Sequence, residues 1–126
     1  MSARILIVED SPTMRKLIRS ALEEGGYRVA ESEDALQALA VVQEVAPDLV
    51  ITDVNMPDVD GISMVSQMRT FPAFRSVPIL MLTTESSEEA KERGRAAGAT
   101  GWITKPFDPA QLREVVGEVL SVRAPR

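Results

Sequence analysis

The chain has 126 residues, 44% of them apolar, with a formal charge of −5 and an isoelectric point near 4.8. That is enough chain for one globular domain with a real core, and the acidic balance argues against direct nucleic-acid binding. Cysteine and histidine are both absent, which excludes disulfides, zinc–thiolate sites, thiol catalysis and any imidazole acting as base, ligand or phosphoryl carrier.

Ile5-Leu6-Ile7-Val8 is the first apolar run, closed by Glu9-Asp10. A run this apolar predicts a strand buried on both faces, the pattern of a parallel sheet. It begins within a few residues of Met1, so no signal peptide is expected. No run reaches the length of a membrane span, and a cytoplasmic location is expected. Ser11-Pro12 reads as an N-cap with proline at the first helical position, and Met14, Leu17, Ile18, Ala21 and Leu22 carry helical spacing up to Gly25-Gly26. Residues 27–30 read as a short second strand. A helix over 34–45 follows, with Ala35, Leu36, Leu39, Ala40 and Val42 as its apolar side and Pro47 as its stop.

Leu49-Val50-Ile51-Thr52 is the next buried strand, closed by Asp53. Pro57-Asp58-Val59-Asp60-Gly61 is turn chemistry, and Ile62, Val65 and Met68 mark a third helix. Residues 78–82 form a fourth strand ending in Thr83-Thr84. Ser86-Ser87-Glu88-Glu89 opens a fourth helix with a cap and an acidic first turn, and Gly98 closes it. Trp102-Ile103-Thr104 is a short fifth strand ending in Lys105-Pro106. Asp108-Pro109 opens a last helix to about Leu120, leaving 121–126 as a tail. The alternation predicts a single doubly wound α/β domain over 1–126, with five parallel strands each followed by a helix.

Parallel strands put their carboxyl ends on one rim, where ligands gather in open α/β sheets. Glu9-Asp10, Asp53, Thr83 and Lys105 all fall there. Each alone has an ordinary explanation as a loop acid, a turn residue, a strand-end threonine or a surface lysine; together they share one chemistry. Two unit charges about 4 Å apart repel by roughly 4 kcal/mol near a protein surface, so three crowded carboxylates predict a hard divalent cation, Mg2+. A carboxylate oxygen of Asp53 is then the nucleophile for phosphoryl transfer, with a hydroxyl and a lysine ammonium to bind the remaining phosphoryl oxygens.

These residues, with Met56-Pro57, Asp60-Gly61 and Lys105-Pro106-Phe107, resemble a receiver domain of two-component signalling of the stand-alone CheY-like type, over nearly the whole chain. The resemblance implies a flavodoxin-like fold with strand order 2-1-3-4-5. It makes Asp53 the phosphoacceptor and gives Mg2+ to Glu9, Asp10, Asp53 and the backbone carbonyl of Asn55. It makes Thr83 the residue that binds the phosphoryl group and switches position, and pairs Lys105 with that group or with Asp53. A cis peptide is implied before Pro106. Trp102 stands where the family places Tyr or Phe as an aromatic switch; as plain sequence it is a packed strand residue. Thr84 stands where a small residue is common and crowds the acceptor. Asn55 and Glu85 occupy positions that tune hydrolysis of the acyl phosphate.

The implied partners are a histidine kinase as phosphodonor and a downstream protein bound through helix 4, strand 5 and helix 5. Chemotaxis is the expected pathway, and no residues are expected to remain for a DNA-binding or enzymatic output domain. Apart from self-phosphorylation and autodephosphorylation, the protein is not expected to be an enzyme. Two rivals are a receiver-like binding module that works unphosphorylated and a haloacid dehalogenase-like phosphatase. The latter wants a second Asp where Asn55 stands and a Thr or Val where Pro57 stands. An EF-hand reading of Asp58, Asp60 and Gly61 fails, since Met56 and Gln67 fill its first and last ligand positions.

Overall fold

Strands this apolar are stable only when both faces are covered, and the helices between them cover both. A computed structural model describes residues 2–54, 61–85 and 87–123, without the side chains of the last two. Its strands β1 (Arg4–Val8), β2 (Arg28–Ser32), β3 (Leu49–Asp53), β4 (Ile79–Thr83) and β5 (Gly101–Thr104) form one parallel sheet in the order β2-β1-β3-β4-β5. The helices are α1 (Pro12–Glu24), α2 (Ala35–Val45), α3 (Gly61–Arg69), α4 (Glu88–Ala97) and α5 (Pro109–Arg123). This is the expected doubly wound flavodoxin-like architecture.

Alternation along the strands sorts the core into two layers. Leu6, Val8, Val50, Ile79 and Met81 face Ala38 and Val42 of α2 and Met64, Val65 and Met68 of α3. Ile5, Ile7, Leu49, Ile51, Leu80 and Leu82 face Ile18 and Leu22 of α1 and Leu112 and Val116 of α5. The helix starts follow the expected chemistry: the side chains of Ser11, Asp34 and Ser87 accept from the backbone N–H groups of Met14, Gln37 and Ala90. Gly98 closes α4 at φ 110°, a conformation that L side chains rarely adopt.

Four local expectations are corrected. The sequence pattern ends the second strand at Ala30, whereas β2 pairs on through Glu31 and Ser32, opposite Ile7 and Val8. A charged residue is tolerated there because Glu31 pairs with Arg15 and Arg19. In α2 the buried stripe runs through Ala38 and Val42 with Ala35 and Leu39 against it, the i, i+3, i+4, i+7 pattern. Leu36 and Ala40 fall off that stripe, and Leu36 is 78% exposed. A 3₁₀ turn over Pro72–Phe74 carries the fully buried Phe74 into the core where no element is expected. Finally, α5 continues to Arg123, into the segment read as a tail. The 57–60 part of the expected turn and the Met56-Pro57 motif lie outside the described residues, as does Ser86.

Gly61 opens α3 against the end of β3. A Cβ there would lie 2.2 Å from Val54 Cα and 2.7 Å from Val54 O, so only glycine lets α3 start this close to the end of β3. Thr52, wholly buried, has an Oγ1 with no hydrogen-bond partner among the described residues. A buried unsatisfied hydroxyl costs free energy that an apolar isostere does not. Thr52→Val is therefore expected to raise the unfolding free energy by about 1 kcal/mol, seen as a higher urea midpoint at unchanged slope. A lower midpoint would mean that the hydroxyl is satisfied.

Candidate phosphoacceptor and metal site

Register fixes which strand ends meet. Val8 lies opposite Thr52, Asp53 opposite Leu82, and Thr83 opposite Thr104. Glu9, Asp53, Thr83 and Lys105 therefore come to the same rim. Backbone bonds carry the alignment past the strands: Glu9 N–H donates to Ser32 O at 3.0 Å, Val54 N–H to Leu82 O at 3.0 Å, and Lys105 N–H to Thr83 O at 2.8 Å. The Lys105–Pro106 peptide is cis.

Carboxylate oxygens of Glu9, Asp10 and Asp53 lie within 4.8 Å of one another. Glu9 and Asp53 are 1% and 4% exposed, while Asp10 is exposed, so the cluster opens to solvent on the Asp10 side. Lys105 Nζ donates to Asp53 Oδ1 at 2.6 Å. Ser11 N–H donates to Glu9 Oε2 at 2.9 Å, whereas Glu9 Oε1 has no hydrogen-bond partner among the described residues. Burial, and then contact with Asp53, push the Glu9 carboxyl up to about 8; the Ser11 N–H opposes this.

This donor set fits a hard cation. It offers only oxygen, one oxygen is buried without a partner, and one acid is open to water, which suits an ion that keeps part of its hydration shell. Glu9, Asp10 and Asp53 are the residues that would hold it. The fourth expected ligand, the carbonyl of Asn55, lies outside the described residues.

Thr83 is buried, and its Oγ1 accepts from the Glu85 N–H at 3.0 Å. Thr84 and Glu85 are exposed at the start of the β4–α4 connection. Behind Thr83 lies a cavity of about 110 Å³ lined by Thr83, Glu85, Met81, Lys91 and Trp102, among others. Trp102 is half-buried and packs on the α2–α3 core layer. Its ring centroid lies 5.2 Å from Lys91 Nζ and 5.3 Å from Arg95 Cζ, within cation–π range. Sequence reasoning missed these two cations and also Arg15, whose guanidinium reaches the backbone of the Glu9-Asp10 loop. No local signal points to Arg15, because its partners Glu9, Asp10 and Glu31 all lie outside α1.

The response regulator receiver domain family matches residues 5–117, and the chain belongs to that family. Such domains are signalling modules rather than enzymes. The chain is 42% identical to the chemotaxis protein CheY4 of Vibrio cholerae, with a TM-score of 0.89 over 95% of this chain and 100% of that one. It is 30% identical to the receiver domain of the sensor histidine kinase PA1611 of Pseudomonas aeruginosa PAO1, at a TM-score of 0.83 over 96% and 99%. That structure is described with a magnesium ion coordinated in the active site cleft. The phosphate regulon transcriptional regulatory protein PhoB of Escherichia coli K12 is 37% identical over 112 residues, which are 89% of this chain and 49% of PhoB. The chain thus spans about half the length of the PhoB relatives it matches. No helix among the described residues is long and apolar enough to cross a membrane.

The Glu9 carboxyl gives the site a pH signature. It titrates near 4.5 in the unfolded chain and near 8 in the folded one. Between those values the folded state holds the extra proton, so its stability falls as pH rises, by at most about 1.4 kcal/mol per pH unit. In chelator, urea melts from pH 5 to pH 8 are expected to show this decline. Glu9→Gln, which keeps an acceptor for the Ser11 N–H, is expected to flatten it. An equal decline in the variant assigns it to another group.

Proposed function

We propose that this receiver takes a phosphoryl group from a partner histidine kinase onto Asp53, with Mg2+ held by Glu9, Asp10, Asp53 and the carbonyl of Asn55, and signals by phosphorylation-dependent protein binding. The observation that carries the proposal is the Lys105 ammonium 2.6 Å from Asp53 Oδ1, beside the buried, unpartnered Glu9 Oε1. One cation is built in, and an uncompensated acid faces the place of a second. When bound, the metal ion neutralises phosphoryl oxygens as charge develops on them.

A carboxylate oxygen of Asp53 attacks phosphorus, the bond from phosphorus to the donor nitrogen breaks, and the electron pair leaves with the donor imidazole. In the small donor acetyl phosphate the breaking bond is phosphorus–oxygen and acetate leaves. Lys105 holds an Asp53 oxygen beforehand and stays near the new phosphoryl group as a point charge. The Thr83 hydroxyl, turned in this structure toward the Glu85 N–H, donates to a phosphoryl oxygen when it rotates about χ1. Hydrolysis returns the carboxylate, with Asn55 and Glu85 tuning access for water and Thr84 crowding it.

Chemotaxis is the pathway that the likeness to CheY4 supports. The PhoB relatives belong to a transcriptional branch, and a competing readout there is separable by measuring what the phosphorylated protein binds. The surface we assign to the downstream protein is α4, β5 and α5, where Trp102 sits half-exposed. A cytoplasmic location follows from this reading, since phosphoryl donors of this kind work there.

Incubation with acetyl phosphate is expected to add one phosphoryl group, detected by intact mass. The adduct should vanish in chelator and in Asp53→Ala. An adduct that survives either condition removes Asp53 or the metal from the reaction. Trp102 is the single tryptophan, and it lines the same cavity as Thr83. Its emission is expected to change on phosphorylation in wild type and to stay constant in Thr83→Val. A change of equal size in Thr83→Val would uncouple Trp102 from that hydroxyl.

A further inference from the structure

The Glu9-Asp10 loop is held from behind by a basic side chain. Arg15 lies on α1, one turn past the Ser11 cap. Its Nη1 donates to the backbone carbonyl of Glu9 at 2.8 Å and to that of Asp10 at 3.3 Å. Its Nε donates to Glu31 Oε1 at 3.0 Å on β2. Glu31 is paired in turn with Arg19, and Arg19 Nε with Glu23 Oε2 at 3.1 Å. The Arg15 side chain is 16% exposed, low for an arginine on the outer part of a helix. A chain of charges therefore runs from the outer face of α1 to two consecutive carbonyls of the loop that bears both acids.

The geometry suits a rigid fork and nothing softer. A guanidinium offers donors at fixed angles and can hold two carbonyls and a carboxylate at once; a lysine ammonium is a point charge on a flexible stem. The carbonyls of residues 9 and 10 set the peptide planes on either side of Asp10, and so the direction in which its carboxylate leaves the backbone. Asp10 is exposed, so water could satisfy its carbonyl equally well. What Arg15 adds is order. A loop ordered in advance does not have to lose that freedom when an ion binds.

We propose that Arg15, itself fixed by Glu31, is a positioning residue for the metal site, holding the Glu9 and Asp10 carbonyls so that both carboxylates converge on one cation. This rests on the Mg2+-dependent reading above, and it assigns a role to a residue that holds the backbone of the acid loop rather than the reacting atoms.

Calorimetric Mg2+ titration of the full chain tests it directly. Arg15→Met keeps the apolar stem and removes every donor. Its Mg2+ affinity is expected to fall roughly tenfold, in line with losses seen for partners one shell out from a metal ligand. The Mg2+ concentration that half-saturates uptake from acetyl phosphate should rise by the same factor, while the rate at saturating Mg2+ stays near wild type. Glu31→Met, which leaves Arg15 in place but removes the acceptor for its Nε, should weaken binding less, and Arg15→Lys should recover only part of the loss. If Arg15→Met melts earlier yet binds Mg2+ as tightly as wild type, Arg15 merely ties α1 to the sheet and the proposal is overturned. Should that variant not fold, Glu31→Met decides: weakened Mg2+ binding supports the role, and unchanged binding overturns it. A wild-type chain that binds Mg2+ but takes no phosphoryl group would sink the phosphoacceptor reading and leave the calorimetric comparison standing.

Discussion

Two carboxyl groups that belong in water, Glu9 and Asp53, are held against each other almost without solvent. The rest of the upper rim can be understood as a response to that constraint. Lys105 answers Asp53 with a full positive charge at 2.6 Å, and the Ser11 N–H answers one oxygen of Glu9. The other oxygen is left over, and the carboxyl keeps its proton far above the ordinary range. Breaking a buried charge pair is costly because it strands the remaining charge. Here the proton on Glu9 avoids that cost in the metal-free site, and a cation that displaces it would take over the same compensation.

Holding the acids there is the task of the sheet. Neighbouring parallel strands fix the heights of their carboxyl ends through evenly spaced backbone bonds. A slip of one residue would send every core side chain to the opposite layer. The two core layers, with Phe74 filling one and Ile18 and Leu112 the other, therefore lock the register that places Glu9 level with Asp53. Stability invested far from the rim sets distances at the rim. Gly61 serves the same end, since any side chain there would push α3 away from Val54.

Much of this is legible in the sequence because it is written locally. A buried strand announces itself by an unbroken apolar run, its end by the first charge, and a helix start by its cap, as Ser11, Asp34 and Ser87 illustrate. The rim followed from topology alone once the strands were known to be parallel. What stayed hidden depends on partners distant in the chain. Glu31 reads as the end of a strand until Arg15 and Arg19 are seen to neutralise it. Leu36 reads as core because apolar residues crowd α2 on two sides, and only the packing against Val42 and Ala38 chooses between them. Phe74 sits in a stretch whose local signals are those of a loop, and its burial comes from the two layers around it. Lys91 and Arg95 are ordinary helix charges until Trp102 is found within reach of both.

Thr83 joins the two halves of the molecule that the proposed function needs. Its hydroxyl oxygen accepts from the Glu85 N–H at the start of the α4 connection while its β-carbon sits on the acidic rim. It also lines the cavity that reaches Trp102. A hydroxyl that turns toward a phosphoryl oxygen must release whatever it held before, because its rotamers are discrete. In the proposed switch, release of the Glu85 N–H removes one tie at the end of β4, and α4 carries both cations that lie near the indole. On the proposed function, charge arriving at Asp53 reaches the packing around Trp102 through the change of Thr83 rotamer that gives up the Glu85 N–H bond. On that reading Lys105, with a cation held by the acid cluster, supplies the affinity for the incoming group, and the Thr83 rotamer carries its arrival toward the surface.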